Sequence, residues 1–235
     1  MQKLEEMRLS GFTRAYRDMM ATGMNNDFTI DEVISLLVQA EWDERYNKRL
    51  QRLIANARFR YQASIEELKP DASRGMDKAL ISNLATGEYL SKGESVLITG
   101  SAGCGKSFLA SALGHQACAQ GYKVAYYNMQ KLLLKMKLSR IEGTISRLFE
   151  NLSKADLLIL DDFGLTHLEQ QQQMDLMEMI EDRHGKSSTM IASQLPVANW
   201  YDVIGEETIA DAILDRLVHT SYRIELKGES LRKKR

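Results

Sequence analysis

Cysteine and proline are scarce in this chain, and a long apolar run is missing altogether. Only Cys104 and Cys118 occur among 235 residues. Their spacing fits no metal-ligand pattern, so both read as reduced thiols of a cytoplasmic protein. Proline occurs twice, at Pro70 and Pro196, which leaves few forced breaks. The longest apolar stretches, such as ADLLIL at 155–160, fall far short of the ~20 residues that a bilayer span needs, which argues against a membrane partner. The opening MQKLEEMRLSG carries acids and no apolar h-region, so no secretory signal is expected. Bulk basicity is absent too. The formal net charge is −1, so any nucleic-acid surface must come from local clustering of cations.

What is present is a globular composition, with 44% hydrophobic and 27% charged residues. The length suits one α/β domain with a small appendage. Residues 1–68 read as helical and 69–235 as the larger domain, with the break at KPDASRG. Thr29 and Glu32 have capping-box spacing at the start of a long helix, in which Tyr46, Leu50, Leu53 and Ala57 share one face. From Arg45 to Arg60 this helix carries cations and no acid, and Arg45, Arg49 and Arg52 form one stripe. That stripe is either a solvated face or a DNA surface. Beyond the break, strand-like runs at 95–100, 123–128, 157–162, 188–193 and 222–226 alternate with helical stretches. The alternation predicts an α/β fold with a central parallel five-stranded sheet flanked by helices.

The first run leads into GSAGCGKS, which satisfies the phosphate-loop pattern between a strand and a helix. Gly100, Gly103 and Gly105 permit backbone angles that let N–H groups, including those of Ser101, Ala102 and Cys104, face phosphate oxygens. The helix start at Lys106, Ser107 and Phe108 adds partial positive charge. Lys106 brings a full charge to the β- and γ-phosphates, and the Ser107 hydroxyl is a ligand for Mg2+. The third run ends in Asp161 and Asp162, where such proteins hold their magnesium. Asp161 is the second metal residue, and Asp162 is placed to polarise the attacking water. Gln194 ends the fourth run beside them, either as plain strand termination before Pro196 or as a contact to the γ-phosphate. No guanine-reading NKxD follows a strand, which disfavours a GTPase.

The block SQLPVANWYDVIGEETIADAILDRLVHTSYRIELKGESLRKK favours one of the remaining readings. Together with NKRLQRLIANARFR, RGMDKALISNLA, VLITGSAGCGKSFLASALG and ADLLILDDFG, it resembles the IstB transposition helper ATPases. These are P-loop proteins of the AAA+ class, close to the DnaC-type helicase loaders. The resemblance covers nearly the whole chain. It implies a small all-α N-terminal domain before the AAA+ domain, no C-terminal lid domain, and ATP with Mg2+ as cofactors. It also implies duplex DNA and a cognate transposase as partners, and an ATP-dependent homo-oligomer. By analogy, Arg216 in AILDRLVH is the finger offered to a neighbouring subunit's ATP, the alternatives being an intrahelical pair with Asp211 or Asp215, or a surface arginine. Arg232 in GESLR is the candidate second phosphate sensor.

The same resemblance places a DNA-facing helical element between the second and third strands. Lys135, Lys137, Arg140 and Arg147 are the cations it offers, while Leu132, Leu133, Met136 and Ile145 need burial. Contacts of this kind are non-specific and salt-sensitive. Two other readings stand beside the transposition helper: a DnaC-like replicative helicase loader, and an ATP-binding module that barely hydrolyses, because Asp162 is shorter than the glutamate commoner in the class.

Overall fold

The computed structural model describes residues 1–23 and 28–230. The chain divides into two compact units, Met1–Arg52 and Leu53–Arg235. The division falls inside a helix, ahead of the KPDASRG break.

The first unit contains α1 (Gln2–Glu6), α2 (Ser10–Thr22) and most of α3 (Ile30–Ala57). The capping box forms as read: Thr29 N–H donates to Glu32 Oε2 at 2.8 Å, and Glu32 N–H to Thr29 Oγ1 at 3.4 Å. Helix α2 has no side-chain cap of its own. Instead Glu41 of α3 accepts the N–H groups of Gly11 at 2.8 Å and Phe12 at 3.1 Å. A buried carboxylate is thereby placed on the positive end of a helix, where it is stabilising. Burial alone would raise the Glu41 carboxyl, but Arg45 and these N–H groups hold it below its ordinary value.

The second unit adds α4 (Lys78–Ala85), α5 (Glu88–Lys92), β1 (Ser95–Gly100), α6 (Lys106–Ala119) and β2 (Val124–Asn128). There follow α7 (Met129–Ile141), α8 (Ile145–Ser153), β3 (Leu157–Phe163), α9 (Gln170–Arg183), β4 (Ser188–Ser193), α10 (Trp200–Ile204), α11 (Glu207–Val218) and β5 (Ser221–Leu226). The five strands are parallel, in the order β2-β3-β4-β1-β5. The predicted sheet is therefore present. Its central strands are buried along nearly their whole length, on the apolar runs Val96–Ile98, Leu157–Leu160 and Met190–Ala192. Between β2 and β3 stand two helices, α7 and α8, whose Leu132, Leu133, Met136, Leu148 and Phe149 enter the core as the sequence requires.

Two features fix the lower ends of the sheet and the approach to it. Arg183, 1% exposed, spends its guanidinium on backbone oxygens: Leu152 O at 2.6 Å, Ala155 O at 2.8 Å and Ser188 O at 2.5 Å. Burial pulls its pKa down to about 10, with Asp156 opposing, and it stays charged at neutral pH. Replacing it with methionine keeps the volume and strands those carbonyls. Arg183→Met is expected to cost about 3–5 kcal/mol and to lower the melting temperature by about 10 °C, measured by calorimetry.

The second feature corrects the sequence reading of residues 1–68 as helical throughout. Helix α3 ends at Ala57, and Arg58 turns left-handed at φ +58°. No glycine or proline announces the stop; tertiary packing makes it. Phe59 stacks on His115 with ring centroids 4.2 Å apart and meets the Tyr126 ring edge-on at 6.1 Å. Its ring lies so close over Gly114 that a Cβ there would sit 2.4 Å from it. Residues 58–61 therefore form a strap across α6 and β2.

Candidate functional site

The site gathers at the C-terminal edge of the sheet. Strand β1 delivers Gly100 at φ +142°, where a Cβ would fall 2.1 Å from Leu226 O of β5. Only glycine fits there. The loop then turns into α6 at Lys106. The Lys106 side chain is 7% exposed and donates from Nζ to Gly100 O at 2.7 Å and Ser101 O at 2.8 Å. Ser107 Oγ reaches past the end of β4 and donates to Asp161 Oδ1 at 2.9 Å. The loop and the acidic strand end are thus hydrogen-bonded to each other.

Asp161 is 1% exposed, and its Oδ2 accepts from Tyr126 OH at 2.5 Å and Arg60 Nη1 at 3.0 Å. Burial first, and the Asp161 charge second, push the Tyr126 phenol above its ordinary pKa, which keeps it a donor. Asp162 has φ +58°, and the register of β3 against β4 shifts between Leu160 and Phe163. Alternation along a regular strand would send successive side chains to opposite faces. The bulge instead lets both carboxylates meet one guanidinium, with Asp162 Oδ2 at 2.9 Å from Arg60 Nη1 and at 2.9 Å from Asn128 Nδ2. Burial would lower the Arg60 pKa, but the two aspartates prevail and raise it well above the ordinary arginine value.

A cleft of about 700 Å³ opens over these groups, lined by Tyr61, Gly103, Lys106, Ser107, Asp162 and Gln194 among others. A second cavity of about 530 Å³ has a more apolar wall of Leu68, Pro70, Met76 and Leu226, and shares Gly105 and Phe108 with the first. Among the described residues no cluster of three or more His, Cys, Asp or Glu could hold a metal unaided. The Ser107 hydroxyl beside the Asp161 carboxylate is an all-oxygen donor set, which suits Mg2+ when a phosphate supplies the remaining ligands.

The family model for IstB-like ATP-binding proteins matches residues 2–235. The chain belongs to this family. A protein of Sinorhizobium fredii named for ATP binding in an insertion sequence is 42% identical over 233 residues, covering 99% of this chain and 95% of the relative. A second, named for insertion sequence IS21 in Pseudomonas aeruginosa, is 26% identical over 98% of this chain and 87% of its own. Among solved structures, the DnaC helicase loader superposes with a TM-score of 0.60 at 18% identity, covering 71% of this chain and 98% of that one. AMPPCP-bound DnaA from Aquifex aeolicus also gives 0.60, at 19% identity, over 74% and 53%. The likenesses to the solved structures show the fold, and by its family the protein is an IstB-like P-loop ATPase.

Within this IstB-like chain the remaining sequence candidates land in different places. Gln194 lines the cleft, whereas Ser193 is buried and used structurally, donating to Phe163 O at 2.8 Å. Arg216 stands on α11 and pairs with Glu181 of α9, not with Asp211 or Asp215, while its Nη1 donates to Ala212 O at 2.8 Å. Arg232 lies outside the described residues. Arg45 pairs with Glu41 at 2.6 Å, and Arg49 and Arg52 are exposed. Lys135 sits 5.4 Å over the Tyr127 ring, and Lys137 and Arg147 are exposed. Arg140 donates from Nε to Asp175 at 2.8 Å, which ties it to α9. No helix among the described residues is long and apolar enough to cross a membrane.

Sequence reasoning missed Arg60, Tyr126 and Asn128. Arg60 was one cation in a basic run. The signal for Asn128 was faint but real: it ends KVAYYN on β2, and the sheet register places it opposite Asp161.

Proposed function

We propose that this IstB-like ATPase is an ATP-dependent, DNA-binding transposition helper. It assembles on duplex DNA as a homo-oligomer, recruits or stimulates a cognate transposase at the target, and hydrolyses ATP at subunit interfaces. The observation that carries this reading is the likeness to insertion-sequence ATP-binding proteins over 99% of the chain.

The geometry supports these side-chain roles. The loop N–H groups from Gly100 to Ser107 receive the phosphates, and Lys106 exchanges its carbonyl partners for the β- and γ-phosphate oxygens. Ser107 and Asp161 hold Mg2+, which neutralises phosphate charge when bound. Asp162, oriented by Asn128, polarises the attacking water, and Gln194 faces the γ-phosphate. Phe108 lies between the polar cleft and the apolar cavity, so a base fits against Leu68, Pro70, Met76 and Leu226. Arg216 serves the ATP of the adjacent subunit.

Electron microscopy with ATP and either duplex or single-stranded DNA tests the assembly. Oligomers on duplex support the helper. Assembly only on single strands, with capture of a replicative helicase, supports a DnaC-like loader instead. Lys135 and Arg147 are exposed cations of α7 and α8. Reversing both to glutamate is expected to weaken DNA binding at least about tenfold and to flatten the log K against log salt slope by about two. Unchanged binding across a salt titration rules out a DNA surface on α7 and α8.

A further inference from the structure

Arg60 is not among the groups that the nucleotide reading uses. Phe59 and Tyr61 anchor the strap on either side of it, the first on His115 at 4.2 Å and the second near Phe108 at 6.2 Å. The guanidinium is thereby carried to one place. There a single nitrogen, Nη1, donates to Asp161 Oδ2 at 3.0 Å and to Asp162 Oδ2 at 2.9 Å. One cation serves both acids of the strand end. Its side chain remains 39% exposed, against 1% for Asp161, and it lines the same cleft as Lys106 and Ser107.

We propose that Arg60 is a positioning residue that competes with the nucleotide's Mg2+ for the Asp161–Asp162 pair. The proposal rests on the reading that Ser107 and Asp161 hold that cation. Two adjacent carboxylates attract a divalent ion strongly, and a guanidinium already bonded to both lowers the negative potential the ion meets. Arg60 therefore sets the cation concentration at which the site loads. The strap that carries it links that threshold to the end of α3.

Tb3+ titration of the nucleotide-free full chain tests this, with sensitised emission as the readout. Tyr126 is the nearby sensitiser, its hydroxyl 2.5 Å from Asp161 Oδ2, and Asp161→Asn defines the emission that belongs to the site. Arg60→Gln, which removes the charge, is expected to lower the Tb3+ midpoint about tenfold. Arg60→Lys, which keeps it, stays within about twofold of the parent. Arg60→Ala reads the same charge loss should the glutamine variant not fold. An Asp161-dependent signal with an unmoved midpoint in Arg60→Gln overturns the proposal, as does an upward shift shared by the glutamine and lysine variants, the mark of a merely structural role. Emission indifferent to Asp161→Asn in every protein instead removes the magnesium reading itself, and the competition with it.

Discussion

Lys106→Ala is expected to lower ATP affinity by at least about a hundredfold, because several charge-assisted hydrogen bonds to phosphate disappear together. The same substitution removes the two hydrogen bonds that Lys106 Nζ donates to Gly100 O and Ser101 O. Lys106→Arg is the companion variant: it keeps the charge but on a longer, planar head. Isothermal titration gives the affinity, and light scattering with ATP and duplex DNA gives assembly. An alanine variant that binds little ATP yet assembles normally would show that nucleotide does not gate the oligomer.

Arg216→Ala is expected to leave ATP binding within about twofold and to lower turnover by about a thousandfold, the scale of an arginine finger. The structure makes this a demanding test, since Arg216 is paired within its own chain to Glu181. Glu181→Gln is therefore the control: if the pair only braces α11 against α9, both variants lose stability alike and turnover survives. Mixing Arg216→Ala with Lys106→Ala discriminates further. Each is inactive alone, but a mixed oligomer contains interfaces with an intact Lys106 on one side and an intact Arg216 on the other. Recovered ATPase activity on mixing shows action in trans; none, with co-assembly verified, sinks it.

The site was legible where its chemistry is local. GSAGCGKS is contiguous, and Asp161 and Asp162 end a buried apolar strand, so type, spacing and strand periodicity suffice to find them. The five strands were found for the same reason, since the alternation of apolar runs and amphipathic stretches is written residue by residue. Helix α3 was overextended because ANARFRYQAS contains no breaker. Its end depends on where Phe59 finds a slot over Gly114, which no window of sequence contains.

By itself, then, the sequence determined that a phosphate-binding loop and an acidic strand end stand at one edge of a parallel sheet, because each element is specified by its own neighbours. Only the tertiary structure decided what those acids touch. Arg60 and Asp161 are separated by 101 positions and Tyr126 and Asp161 by 35. Arg216 finds Glu181 only because α9 and α11 pack together. Charges far apart along the chain carry no local pattern, and their pairing is set by the strand order and the bulge at Asp162.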